Sequence, residues 1–176
     1  MASDPAALTV IASIARSRSR ACRVNRGPRE ECVTIPLWAL LGFATWTVLL
    51  LLSTVGIYRW SRILTGRVPI RDFRADRIEG EDWYLRAMRA HANCIENLPV
   101  FGAIVLALYA SGIESNAANA VSIAILAARI AQSLIHLSFE QTNVVVSARF
   151  GFFFVQIAGF LWLISIIVTQ AALHSA

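Results

Sequence analysis

The chain contains no lysine, and all 16 of its basic residues are arginine. Charge of either sign is scarce. Asp, Glu, Lys and Arg make up 15% of the 176 residues, against about 25% in an ordinary soluble domain. So few charges cannot cover the surface of an independent soluble domain. The formal net charge of +5 would otherwise suggest nucleic acid, but no soluble domain remains to present a basic patch, so nucleic acid is not an expected partner. Cysteine is limited to Cys22, Cys32 and Cys94. They show neither metal-ligand spacing nor a disulfide framework, so no metal site is expected and Cys94 reads as a small packing residue. His91 and His136 could ligate haem from two helices only with further support, and the chain offers none.

What the chain has instead is long apolar segments. Ile35 to Ile57 carries no charge and is long enough to cross a hydrocarbon core of about 30 Å. Further spans are expected over residues 84–111, 117–138 and 150–173, the second beginning in polar sequence and the third interrupted by Arg129, Gln132 and His136. The expected fold is an all-α membrane protein, a four-transmembrane-helix bundle of up-down topology. It embeds in a lipid bilayer and occupies residues 34–176.

Residues 1–33 stand apart as an extension. Ala6 to Ala15 is apolar but too short to span, and Arg16 to Arg29 is rich in Arg and Ser with no acidic residue. Such composition resembles an organelle transit peptide, and equally a disordered or non-native extension. Six Arg (59, 62, 67, 71, 74 and 77) lie in the first connection and none in Gly112 to Asn116. Cytoplasmic first and third connections follow from the positive-inside rule, in conflict with the six Arg of the extension unless it is removed. Tyr58-Arg59-Trp60 reads as an interfacial anchor, and Glu79, Glu81 and Asp82 suit the positive end of the second helix.

Polar residues inside the spans are costly, each charge near the bilayer centre roughly 2.5–3.5 kcal/mol on insertion scales. On a helix advancing 100° per residue, Arg89, Asn93 and Glu96 fall within about 60° of one another, flanked by Arg86 and Asn97. In the third span Arg129, Ser133 and His136 fall within about 60°, with Gln132 adjacent. Arg149 and Gln156, seven apart, share a face of the fourth. Glu96 can pair with Arg89 or Arg129 and fix helix register. That leaves a cationic surplus among Arg86, Arg89, Arg129 and Arg149, which predicts an anionic guest. His91 points away from the Arg89 stripe and reads as an interhelical hydrogen bonder. Pro99 frees the Ile95 carbonyl within the polar zone.

The string Arg89-Ala90-x-x-Asn93-Cys94-x-Glu96-x-x-Pro99-x-Phe101 resembles the second-helix signature of the membrane-associated eicosanoid and glutathione metabolism (MAPEG) family. The resemblance runs from about Leu37 to the C-terminus. Tyr58-Arg59-Trp60 and the Arg-rich loop look more like its bacterial branch, which implies a multi-pass protein of a bacterial inner membrane. The family fold implies a homotrimer holding glutathione, the cosubstrate, between subunits near the cytoplasmic side. By resemblance Arg89, Asn93 and Glu96 match glutathione-binding positions, with Arg86, Asn97, Gln132 and His136 beside them. Arg129 matches the third-helix Arg, and Arg59 or Arg62 would supply a first-helix contact. Arg149 resembles the Arg credited with stabilising the glutathione thiolate, the catalytic role. This chain has His136 where many relatives have Tyr, and Phe152, Phe153 and Phe154 where some have Tyr or Thr.

The resemblance implies a glutathione-dependent membrane transferase or peroxidase acting on lipophilic electrophiles or hydroperoxides. Its alternative is a non-catalytic membrane-embedded binding or scaffold protein of the same fold. A small transporter or channel subunit would also use intramembrane charge.

Overall fold

The computed structural model describes residues 33–73 and 80–175. The extension before Val33, with Cys22 and Cys32, and loop residues Arg74, Arg77 and Glu79 lie outside the described residues. Among the described residues regular structure is entirely helical. Four helices are long and apolar enough to cross a membrane. They are α1 (Ile35–Leu64), α2 (Asp82–Ala110), α3 (Asn116–Ser138) and α4 (Asn143–Ser175). A 3₁₀ turn, Ile70–Asp72, lies in the first connection.

Two helix ends differ from the hydropathy reading. The first span continues past Ile57 to Leu64, and the fourth begins at Asn143 rather than at residue 150. Hydropathy reports where lipid contact stops, whereas capping decides where helical hydrogen bonding stops. After α1, Gly66 takes φ 67°. Its N–H reaches Ile63 O at 3.0 Å and the Arg67 N–H reaches Arg62 O at 3.0 Å, the paired bonds of a Schellman stop. Gly112 closes α2 in the same way, its N–H on Tyr109 O at 3.1 Å and that of Ile113 on Leu108 O at 3.2 Å. Ahead of α4, the Thr142 hydroxyl accepts the Val145 N–H at 3.3 Å, an N-cap that starts the helix upstream of the charge-free run. Arg149 therefore lies inside α4, nearly two turns from its start, and not at the head of the span.

α1 is not uniform. Leu51–Gly56 forms a π-helical stretch between α-helical Ile35–Leu50 and Ile57–Leu64. Ser53 and Thr54 turn their hydroxyls onto the carbonyls of Leu49 and Leu50, at 2.6 and 2.5 Å. The extra residue in the turn rotates Val55 and Tyr58 into the protein interior, against Tyr84 and Ala87. Tyr58 is thus a core residue, stacked on Tyr84 with ring centroids 4.2 Å apart. Of the expected interfacial anchor only Trp60 faces outward.

Buried positions on α2 (Ala87, Ala90, Cys94, Asn97, Phe101, Val105, Leu108) recur every three to four residues, the stripe that packs one helix face. Phe101 joins Phe43 of α1 and Phe160 of α4, with ring centroids 5.8 and 6.1 Å away. α3 and α4 make the most extensive helix contact, and α1 packs on both α2 and α3. Gly159 makes the α3–α4 contact tight, because a Cβ there would lie 2.8 Å from Ile125 Cγ1. Leu52, Leu106, Leu161 and Trp162 are among many large apolar side chains that point outward. An apolar exterior is what hydrocarbon requires. Pro99 is accommodated within α2 and is exposed.

Candidate functional site: a polar cleft at one end of the bundle

The polar stripes meet where the N-terminal half of α2, the C-terminal half of α3 and the first turns of α4 come together. This end of the bundle carries the first and third connections. A cleft of about 360 Å³ opens there, lined by Asn93, Glu96, Gln132, His136, Gln141 and Arg149 on its polar side and by Val146, Phe150 and Phe153 on its apolar side. Helical spacing explains the second wall: Val146, Arg149, Phe150 and Phe153 stand three or four apart, so all four fall on one face.

Five of the sequence candidates, Asn93, Glu96, Gln132, His136 and Arg149, line this cleft directly. Arg89 stands at its rim and donates from Nη1 to Gln141 Oε1 at 3.4 Å. Arg129 lies behind the wall, 1% exposed, its guanidinium 5.4 Å from the centroid of the Phe43 ring. Its Nε and Nη2 have no hydrogen-bond partner. A guanidinium with an aromatic ring on one face, the Cys94 side chain beside it and two unpartnered nitrogens still has donor capacity to offer.

Four candidates lie elsewhere. Asn97 is buried and donates to the Asn93 carbonyl at 2.8 Å, and the Nε of Arg86 is buried without a partner. Neither residue lines the cleft. Arg59 donates from Nε to the Tyr84 hydroxyl at 2.8 Å. Arg62 pairs with Glu81 and lies 4.5 Å over the Tyr58 ring. Both belong to an aromatic clasp that binds the end of α1 to the start of α2. Glu81 completes it by accepting from Trp83 Nε1 at 2.9 Å.

The expected pairing of Glu96 with Arg89 or Arg129 is not formed. Among the described residues the direct ion pairs are Arg62 with Glu81 and Arg71 with Asp72. Glu96 acts on Arg129 only at a distance. Helical phase put Arg89 and Glu96 on one stripe and Arg129 on the facing one, but Arg129 is buried where Glu96 is exposed, and Arg89 turns to Gln141. His91 lies beside the Thr47 backbone of α1, and its Nδ1 has no partner.

The remaining polar side chains hold the walls together. Asn93 Nδ2 and His136 Nε2 are 3.3 Å apart, joining α2 to α3. Cys94 Sγ and Ser133 Oγ, both buried, are 3.5 Å apart one turn deeper. Gln132 donates to the Arg149 carbonyl at 3.0 Å, and Gln156 donates to Gln132 Oε1 at 3.0 Å. Arg149, Arg129 and Arg89 lie around His136.

Sequence reasoning did not reach Gln141, Val146, Phe150 or Phe153 as cleft residues. The three on α4 carry a signal, their spacing from Arg149. Gln141 lies in the connection after α3, where no periodicity applies.

Among family models, that of the MAPEG family matches residues 35–169, which takes in all four helices. Comparison with curated proteins and with solved structures gave no match.

Proposed function

Because the chain belongs to the MAPEG family, a family of glutathione transferases and peroxidases that also has non-catalytic members, we propose that it is a glutathione-dependent membrane transferase or peroxidase. Its substrates are lipophilic electrophiles or hydroperoxides, and its site is the cleft between α2, α3 and α4. One observation carries this reading: Glu96 and Arg149 line the same cleft without a direct ion pair.

Glutathione has two carboxylates, one α-ammonium and a thiol. Glu96 suits the ammonium, and Arg89 at the rim suits a carboxylate through a planar donor pair. Arg129 adds unpaired Nε and Nη2 donors from behind the wall. The three guanidiniums, of Arg89, Arg129 and Arg149, exceed the one carboxylate by two positive charges, which balances the two net negative charges of glutathione with its thiol ionised. The residues present therefore fit this peptide in sign and in number.

Arg149 is the thiolate-stabilising group in this reading. A free thiol has a pKa near 8.5, and lowering it by two units takes about 2.7 kcal/mol. A hydrogen bond to a charged group contributes roughly 1.5–3 kcal/mol, so one well-aimed guanidinium nearly suffices. The thiolate then attacks an electrophile entering from the bilayer past Phe150 and Phe153. A C–S bond forms as halide leaves an aryl halide, or an S–O bond forms as the O–O bond of a hydroperoxide breaks and the alkoxide leaves and takes up a proton. By the positive-inside rule the Arg-rich first connection supports a cytoplasmic position for the cleft end. In a homotrimer, Arg59 or Arg62, which stand apart from the cleft within one chain, would be offered by a neighbouring subunit.

The test is turnover by the purified protein in detergent, with glutathione and an aryl halide or a lipid hydroperoxide, beside Arg149→Ala. Activity in the wild type that Arg149→Ala loses supports the reading. Turnover equal to the blank removes catalysis. A second reading has its own support: no hydroxyl side chain is among the cleft-lining residues, which suits a binding protein without catalysis. Glutathione affinity with no turnover on either substrate would favour it.

A further inference from the structure

Gln156 is fully buried, 0% exposed, in the middle of the most apolar helix of the chain. It does not line the cleft. A primary amide in such a place is costly unless its groups are used, and its two N–H groups are used fully. Nε2 donates to Phe152 O of its own helix at 2.9 Å and to Gln132 Oε1 of α3 at 3.0 Å. Gln132 passes the direction on, donating from its own Nε2 to the carbonyl of Arg149 at 3.0 Å. The chain of donors thus starts at Gln156 and ends on the backbone of the residue proposed to hold the thiolate.

The direction of this relay is fixed. The Oε1 of Gln156 is buried without a partner. Turning the amide over would set that oxygen against both Gln132 Oε1 and the Phe152 carbonyl, two acceptors facing a third, with nothing to donate. Gln132 in turn spends its carbonyl on Gln156 and its amide on Arg149. Only one arrangement of the two side chains satisfies these contacts, and in it the α4 backbone at Arg149 and at Phe152 is tied to one point on α3. Packing of Gly159 on Ile125 sets the spacing of α4 and α3, but apolar contact is non-directional and gives the turn at Arg149 no specific tie. The relay adds a directional tie at the turn that carries Arg149.

We propose that Gln156 is a positioning residue for Arg149. It acts through Gln132 from about 10 Å along α4, seven residues at 1.5 Å each. This rests on the reading of Arg149 as the thiolate-stabilising group. Its consequence is a separation of effects. Removing the relay leaves Glu96 and Arg89, on another helix, to bind glutathione, while Arg149 loses its aim. Misplacement of a catalytic group by about 1 Å can cost about a hundredfold in rate.

The experiment uses the full chain in detergent or nanodiscs and compares wild type with Gln156→Met and Gln156→Glu. The first removes both donors at similar volume. The second keeps size and polarity; buried, it stays neutral and its O–H can still donate to Gln132 Oε1, so it serves as the conservative control. Three quantities are read: glutathione affinity by calorimetry, ultraviolet absorbance of bound thiolate, and kcat with KM. The expected result for folded Gln156→Met is kcat and thiolate absorbance reduced about tenfold or more, with glutathione affinity within about threefold of wild type, and Gln156→Glu recovers much of both. Wild-type kcat and thiolate absorbance in folded Gln156→Met overturn the inference while the glutathione reading stands. If wild type itself binds no glutathione, the glutathione reading fails, and hydrogen exchange over Asn143 to Arg149 decides the positional claim. Faster exchange in Gln156→Met then supports the tie between Gln156 and this segment, and unchanged exchange overturns it.

Discussion

Replacing Glu96 by Gln removes a negative charge that no cation of the described chain neutralises by direct contact. Its effect on folding and its effect on binding should therefore separate. Glu96 is exposed at the cleft, forms no direct ion pair, and meets Arg129 only through longer-range attraction. Surface ion pairs contribute about 0–1 kcal/mol, and a charge without a close partner contributes no more. Thermal unfolding in detergent should shift little. Binding is a different case if the carboxylate receives the glutathione ammonium. A charge-assisted hydrogen bond of roughly 1.5–3 kcal/mol corresponds to about a 10- to 150-fold change in Kd. Solvent access at the cleft mouth favours the lower end, so calorimetry should find affinity weakened about tenfold. Repeating the titration with a glutathione analogue lacking the α-amino group adds an internal check, since Glu96→Gln should leave that affinity nearly unchanged. Equal glutathione affinity in wild type and variant would take Glu96 out of the site. A large loss of thermal stability would instead show that the carboxylate is part of the bundle's own electrostatics.

Three further outcomes follow from named contacts. Arg149→Ala should abolish turnover at neutral pH, and Arg149→Lys, a point charge without the planar donor pair, should recover only part of it; equal rates in all three proteins would exclude Arg149 from the chemistry. Tyr84→Phe removes the acceptor of the 2.8 Å bond from Arg59 at a residue 1% exposed, and should lower stability by about 1–2 kcal/mol, read by thermal melting in detergent, with glutathione affinity retained. Gly159→Ala would set a methyl group 2.8 Å from Ile125 Cγ1 where Ile125 is itself fully buried; overpacking of this kind costs about 1–3 kcal/mol, and wild-type stability would mean that α3 and α4 are not held as closely as described.

Much of the site was legible because helical phase is a local property. Residues three, four and seven apart share a face wherever the helix lies, so the Arg89-Asn93-Glu96 stripe and the Arg129-Ser133-His136 stripe could be drawn before any packing was known. Depth was not legible. Periodicity cannot say that Arg129 is buried against Phe43 while Glu96 stays exposed, since that depends on how far each helix is pushed into the bundle. Nor could it assign Tyr58, which beside Arg59 and Trp60 looks like an interfacial aromatic. The π-helical stretch turns it inward, and the turn is paired with Tyr84 from a helix far along the chain. Helix ends escape a hydropathy reading for a related reason. Gly66 and Thr142 govern them through hydrogen bonds at the caps, whereas the apolar run reports only the hydrocarbon.

By itself the sequence determined that the chain crosses a bilayer in four helices and that polar faces run along three of them. Hydrophobic length and helical phase are set residue by residue, so no folding partner is needed to read them. Tertiary structure alone decided which polar groups meet. It left Glu96 and Arg149 on one cleft without a direct ion pair, withdrew Arg59 and Arg62 into an aromatic clasp, and set Gln132 and Gln156 in a single hydrogen-bond direction ending on Arg149. Those outcomes turn on distances of a few ångströms between helices. Such distances are fixed by the fit of buried side chains such as Phe43, Phe101, Ile125 and Gly159, and that fit exists only once the helices have packed.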